Sequence, residues 1–249
     1  MELGKALAAS LVAHPFILLA ILVANFPGEE AVMHVGDPIL PDTPSMFRIC
    51  PEPPLEEDVE WAVNEWNRAF KAYGVPIRLQ VASDNCTARV KPTDSPLQGE
   101  FGGTVEVPPR EGVDPSTVKP YEIRFWMLGE FQVTVWAAEN AGLRRAIILH
   151  ELGHVLFLGH IYDYRGFGPR PVMMDQIDPD NPTTQVTDMD AYLAWLKYSF
   201  CREKACGLIH VRMVNPVIGS SVAVSVSAAM AAVLVKVGRR HNDGVNGEG

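Results

Sequence analysis

The chain has 249 residues, enough for one ordinary domain with additional segments, and 47% of them are hydrophobic. Its formal net charge is −9 and its pI is near 5.2. An acidic protein without interleaved basic and aromatic residues is not expected to bind nucleic acid, because phosphate binding requires a basic surface.

Residues 6–26 form an almost wholly apolar run that follows Lys5. This pattern is typical of a secretory signal peptide or an uncleaved N-terminal anchor, which we assign to residues 1–26. A buried core helix is the alternative. Residues 27–44 are rich in proline, glycine and aspartate and show no periodicity, so we predict a linker or a short pro-segment there.

Residues 45–210 are predicted to form the globular domain. A short strand at 46–49 precedes a helix at 55–73, whose apolar residues recur at three- and four-residue steps and which stops at Gly74. Further strand-like runs lie at 77–81, 88–91, 104–107, 122–126 and 131–136, the last of which is either a strand or the lead into the next helix. This order predicts an α+β fold, or an α/β sheet backed by helices.

The chain contains four cysteines, an even number in a sequence with export signals, and this favours two disulfides. We expect Cys50 to pair with Cys86, and Cys201 with Cys206, the second bond closing a short loop. Four unpaired, partly buried thiols are the alternative.

A second apolar run, residues 217–235, contains no charged residue and is followed by a basic cluster that begins at Lys236. We predict a transmembrane helix at 217–235 and a cytoplasmic tail at 236–249. Lys5 places the N-terminus on the same side of the bilayer. The expected location is therefore the cell membrane, with the middle of the chain extracellular, although Val-Ser-Val alternation also suits a strand.

The helix expected at 138–157 contains the residues most informative about function. His150 and His154 are four residues apart, so both imidazoles project from one face and can bind a single ion. Glu151 lies beside them and can reach a metal-bound water. A zinc ion makes its water more acidic and the carboxylate accepts the proton, which is the arrangement that hydrolysis needs.

His160 is the expected third metal ligand. In a continuing helix it would point away from the other two histidines, so the helix must end before it, and Gly159 offers a turn. A histidine with a purely structural role is the alternative. If the third ligand is acidic instead, the candidates are Asp163, Asp175 and Asp178.

The segment HELGHVLFLGH, residues 150–160, resembles the long zinc signature of the metzincin peptidases and is closest to the matrixin type. Residues 171–174, Pro-Val-Met-Met, resemble the Met-turn of this family, with Met173 as its methionine. Residues 186–198 resemble the capped C-terminal helix of matrixin domains, with Thr187 as the N-cap. The resemblance covers roughly residues 45–200.

This resemblance implies a twisted mixed β-sheet with an active-site helix, a backing helix and a C-terminal helix. It also implies a zinc endopeptidase that acts on polypeptides. His150, His154 and His160 would bind Zn²⁺, Glu151 would be the general base, and Met173 would form the floor of the site. An extended substrate would pair with an edge strand near residues 104–107.

The sequence departs from the family pattern at Phe157, which stands where the signature has glycine. Either this residue adopts a positive φ or the turn is delayed to Gly159. A long interval before Met173 predicts an extra loop at 161–171. The acidic stretch 175–190 matches no calcium-loop spacing, so we favour solvated surface over a Ca²⁺ site.

A different class of function is an inactive, zinc-stabilised interaction module on the cell surface. The intact Glu151 favours the enzyme, because a purely structural zinc does not need a general base.

Overall fold

The computed structural model describes residues 29–36, 39–95, 102–119, 123–166, 168–201 and 206–213. Within these ranges the strands are β1 (Glu29–His34), β2 (Met46–Pro51), β3 (Arg78–Val81), β4 (Ala88–Thr93), β5 (Gly103–Glu106), β6 (Phe131–Trp136), β7 (Ile161–Arg165) and β8 (Leu208–Met213). The α-helices are α1 (Glu56–Tyr73), α2 (Ala141–Val155) and α3 (Asp188–Ser199).

The larger sheet has five strands in the order β3-β2-β4-β6-β5. The first four are parallel, and β5 runs antiparallel to β6 at one edge. Helix α1 packs on β3 and against the other two helices, while α2 packs on β6 and β5. The predicted α+β fold, with a mixed sheet and three helices, is confirmed.

Helix α1 forms one wall of the core. Acidic residues in its first turn are favoured by the helix dipole, and Gly74, at φ 67°, ends the helix as predicted. Trp66 is fully buried, and its indole N–H donates to the Leu149 carbonyl of α2 at 3.0 Å. A buried tryptophan thus packs the two helices together without leaving its polar atom unpaired.

Two sets of side-chain contacts fix the start of α2: a cap from Asn140 and ion pairs with α1. The Asn140 side chain accepts hydrogen bonds from the Gly142 and Leu143 N–H groups at 2.9 and 3.2 Å, so the helix begins at Ala141. The buried Asp58 carboxylate of α1 binds the Arg144 and Arg145 guanidinium groups. These contacts hold α2 in place against α1.

A second sheet, in the order β7-β1-β8, lies outside the predicted pattern. Strand β1 lies within residues 27–44, where we expected a linker or a short pro-segment, and pairs antiparallel with β7. The extra loop expected at 161–171 likewise begins with a strand, β7. Alternate residues of β1 and its continuation, Ala31, Met33 and Val35, are buried, which is the period-two pattern of a half-buried strand.

Both predicted disulfides are present. Cys50 of β2 is bonded to Cys86, just before β4, and Cys201 after α3 is bonded to Cys206 before β8. The first joins neighbouring parts of the larger sheet.

The prediction of a strand at 122–126 is wrong for residues 123–126, the part that the structure describes. Residues Phe125–Met127 form a 3₁₀ helix. The Asp42 carboxylate accepts hydrogen bonds from the Phe125 and Trp126 N–H groups at 3.0 and 3.2 Å. Because a side chain takes these donors, they are not available to a β-ladder.

The two terminal apolar runs, 6–26 and 217–235, lie outside the described residues, as does the tail at 236–249. In the part of the chain that the structure describes, no helix combines the length and apolar character needed to cross a bilayer.

Candidate metal centre

His150 and His154 project from the last two turns of α2, and a backbone carbonyl orients each ring. His150 Nδ1 lies 2.8 Å from the Val172 carbonyl oxygen, and His154 Nδ1 lies 2.9 Å from that of Leu158. A carbonyl can only accept, so each Nδ1 carries the proton and donates it. The Nε2 atom of each ring is therefore the one with a free lone pair.

Helix α2 ends in a turn that brings the chain back towards these rings. The Phe157 N–H donates to the His154 carbonyl at 2.9 Å, and the Leu158 N–H donates to the Gly153 carbonyl at 3.0 Å. This pair of bonds is the Schellman motif, and Phe157 occupies its left-handed position at φ 60°. The helix therefore ends with a positive φ at Phe157 and not with a turn delayed to Gly159.

The turn delivers His160 to the other two histidines. Its ring centroid lies 5.2 Å from that of His150 and 4.8 Å from that of His154. One ligand atom from each of the three rings lies within 4.8 Å of the others. Among the described residues this is the only such group of histidine, cysteine or carboxylate side chains, and Asp163, Asp175 and Asp178 are not members of it.

The donor atoms fit a metal ion. The Nε2 atoms of His150 and His154 are 3.0 Å apart. Two lone pairs directed at each other at this distance repel unless a cation lies between them. The separation is close to the ~3.3 Å expected when both nitrogens lie ~2.0–2.1 Å from one tetrahedral zinc ion. Three neutral imidazole donors are compatible with Zn²⁺ and would suit it better than the oxygen-preferring Ca²⁺ or Mg²⁺.

Burial keeps these rings neutral. It lowers the pKa of His150 to about 3, with the neighbouring His154 acting in the same direction. Burial also lowers the pKa of His154 and of His160, although Asp175 partly opposes the shift at His160. Neutral imidazole is the form that binds metals, so the metal-free site is already in the protonation state that coordination requires.

Met173, the methionine of the expected Met-turn, lies against the part of α2 that carries His150 and His154. Its side chain is fully buried against Gly153 of α2, and a Cβ atom at Gly153 would lie 2.2 Å from the Met173 sulfur. The glycine inside the histidine motif therefore leaves room for the methionine.

The turn that contains Met173 is held by Asp190 of α3. This buried carboxylate accepts hydrogen bonds from the N–H groups of Val172 and Met173 at 3.0 and 2.9 Å. It also accepts from the N–H and hydroxyl of Thr187, the predicted N-cap, at 2.9 and 2.7 Å. Since the Val172 carbonyl orients His150, Asp190 supports this candidate metal ligand through two successive hydrogen bonds.

The three histidines and Glu151 open onto a cleft of about 760 Å³. The cleft is also lined by residues 102–105, which include part of the edge strand β5, and by residues 175–177 and Pro179. Glu151 is buried, and a Cβ atom at Gly103 would lie 2.6 Å from its Cγ. A glycine at this position of β5 thus allows the strand and the carboxylate to lie side by side.

The chain matches no protein-family model, and no curated protein matches it either. The likeness to the metzincin site therefore rests on the motif and on the geometry of the three histidines.

Sequence reasoning missed several residues that shape this site. Gly103 lies just before the strand predicted at 104–107. Asp190 belongs to the acidic stretch that we assigned to solvated surface, although its spacing from Thr187 is that of a capping box. The contribution of β1 was also missed. The alternation of apolar residues around Met33 was the only available signal, and it is too short to identify a strand by itself.

Proposed function

We propose that the chain is a zinc-dependent endopeptidase of metzincin type. The observation that carries this proposal is that Glu151 lines the same cleft as the three converging imidazoles. A metal site needed only for stability would be closed, with four protein ligands, whereas among the described residues this group has three members and lines a cleft.

In this proposal His150, His154 and His160 hold the ion. The bound zinc would activate a water molecule and polarise the scissile carbonyl. Glu151 would accept the proton from the attacking water and transfer it to the leaving amine. Met173 would support the base of the site by filling the space under Gly153.

The substrate would be an extended polypeptide. Among the described strands β5 is the last of its sheet, so we expect one side of its backbone to be available for pairing with a peptide. Residues 102–105 of this edge line the cleft beside Glu151. Main-chain pairing there would bring a peptide carbonyl towards the histidines without requiring a particular side chain.

We also propose that the enzyme is held at the cell membrane by its terminal apolar segments, with residues 45–210 extracellular and the tail cytoplasmic. The supporting observations are the two apolar runs, the basic residues that flank them and the two disulfides, which form in oxidising compartments.

The first test compares the full-length chain with its Glu151→Gln variant on a denatured protein substrate. Gln has nearly the same shape but cannot accept the proton, so cleavage is expected to fall by about 10²–10⁴-fold. The zinc content should remain stoichiometric because the histidines are unchanged. A chelator should abolish cleavage by the wild type.

Glu60→Gln, the same change at an exposed position of α1, is the matched control and should cleave like the wild type. Equal cleavage by wild type and Glu151→Gln would contradict the proposal. Stoichiometric zinc without any chelator-sensitive cleavage would favour the zinc-stabilised interaction module instead.

A further inference from the structure

Strand β1 makes direct contact with the backbone of the third histidine. The His34 N–H donates to the His160 carbonyl at 2.8 Å, and the strand continues in register with Met33 opposite Ile161 and Val32 opposite Tyr162. Both Met33 and Ile161 are fully buried. The chain immediately after the helix turn is therefore held by a segment from near the N-terminus.

Two glycines allow the backbones to approach this closely. Gly36, at φ 87°, lies so near the turn that a Cβ atom there would be 2.2 Å from the Phe157 carbonyl oxygen and 2.8 Å from the Gly159 nitrogen. In return, a Cβ atom at Gly159 would lie 2.3 Å from the His34 carbonyl oxygen. These contacts are between backbones, so no rotation of a side chain can relieve a clash.

The turn that β1 contacts requires a positive φ, which is unfavourable for Phe157. A phenylalanine at positive φ is strained, and such a conformation persists only where the surroundings fix it. The rings of Phe125 and Phe131 pack against the ring of Phe157, at 6.4 and 5.8 Å between centroids, and Gly36 lies against the Phe157 carbonyl. Strand β1 therefore supports the turn that determines where His160 lies.

We propose that residues 29–36 are a permanent part of the metal centre and position His160, so that β1 must remain in the mature protein. A removable pro-segment would then have to end before Glu29. This inference rests on the metal binding of the proposed function, but it concerns the support of one ligand and not the hydrolytic step.

The test is the affinity of the full-length chain for Zn²⁺, measured by competition with a chelating dye. Gly36→Ala should weaken binding by about 10–100-fold, the usual effect of losing support behind a metal ligand. The His160→Ala variant gives the reference value for a centre without its third ligand. Gly112→Ala is the matched control, since Gly112 has a similar φ of 81° with nothing within 4 Å of an added Cβ atom.

Gly36→Ala would refute the inference if it folded and bound zinc as tightly as Gly112→Ala. That result would leave the proposed function intact, because peptide cleavage is assayed separately. Conversely, tight zinc binding by the wild type without cleavage would refute only the peptidase. Absence of zinc binding by the wild type would refute both.

A second measurement needs no variant, and it tests the role of β1 in the metal centre even if Gly36→Ala does not fold. If β1 and the metal site are coupled, zinc must stabilise β1 as much as β1 stabilises zinc binding. Addition of Zn²⁺ to the wild type should therefore slow amide hydrogen exchange at His34. Protection confined to peptides covering residues 150–160, with exchange in β1 unchanged, would overturn the inference.

Discussion

Phe157 adopts a backbone conformation that glycine usually provides. At φ 60° an L-residue is strained by about 1–2 kcal/mol, and the packing of the Phe157 ring on Phe125 and Phe131 offsets part of this cost. The sequence revealed the substitution and its two structural solutions. It did not decide between them, because the two aromatic partners come from distant parts of the chain.

The strain at Phe157 can be measured by truncating its side chain in two ways. Both Phe157→Ala and Phe157→Gly lose the ring, but only the glycine relieves the positive φ. We expect Phe157→Gly to be more stable than Phe157→Ala by about 1 kcal/mol in urea unfolding. At the exposed helical position Ala72, a change to glycine should instead destabilise by about 1 kcal/mol. Equal stabilities of the two Phe157 variants would contradict strain in the turn.

The lowered pKa of His150 makes the stability of the metal-free protein depend on pH. Between about pH 3 and about pH 6.5 the unfolded chain binds a proton at this imidazole and the folded protein does not. The free energy of unfolding therefore rises with pH across this window and falls as the solution is acidified.

We expect the melting temperature, measured in the presence of a chelator, to decline from about pH 7 towards about pH 4. The decline should be shallower in His150→Leu, because the unfolded variant no longer gains that proton. His210→Leu, at an exposed histidine of β8, should keep the wild-type slope. An unchanged slope in His150→Leu would show that this ring does not carry the effect.

At the scale of elements, the helices were the most predictable part of the molecule. The periodicity of α1, its acidic first turn and Gly74 are local features, and so are the Thr187 cap of α3 and the histidine pair of α2. Strand β1 and the 3₁₀ helix at Phe125–Met127 were not predictable, because each depends on a partner from a distant segment. Those partners are β7 for the strand and Asp42 for the 3₁₀ helix.

The link between α3 and the turn that contains Met173 can be tested at Asp190. Asp190→Asn replaces one acceptor oxygen by an N–H₂ donor, so a buried backbone N–H loses its partner. We expect a loss of about 1–3 kcal/mol in urea unfolding of the metal-free protein. Zinc binding should weaken about tenfold, because Val172 would orient His150 less firmly.

Asp188→Asn is the matched control for this variant, since Asp188 is exposed in the same helical turn. Asp188→Asn should lower the free energy of unfolding by no more than about 0.3–1 kcal/mol, the contribution of a charge at a helix N-terminus. If Asp190→Asn and Asp188→Asn had the same stability and the same affinity for zinc, Asp190 would contribute only its negative charge in the first turn of α3.

At the scale of the whole molecule, the sequence predicted the fold class and both disulfides but not the second sheet. The disulfides followed from an even cysteine count and a short spacing between Cys201 and Cys206. The β7-β1-β8 sheet joins three segments from different regions of the chain, and no local pattern encodes such a pairing.

The hydrogen bond between His34 and His160 also predicts an order of assembly. His150 and His154 are brought together by a single helix, a local structure that forms quickly. His160 is fixed only when β1 and β7 pair across most of the domain, and long-range pairings form late because closing a large loop costs entropy first. If the proposed metal centre binds zinc, a partly folded chain would hold the ion through two imidazoles and exchange it readily. Tight retention of the metal would mark the completion of folding.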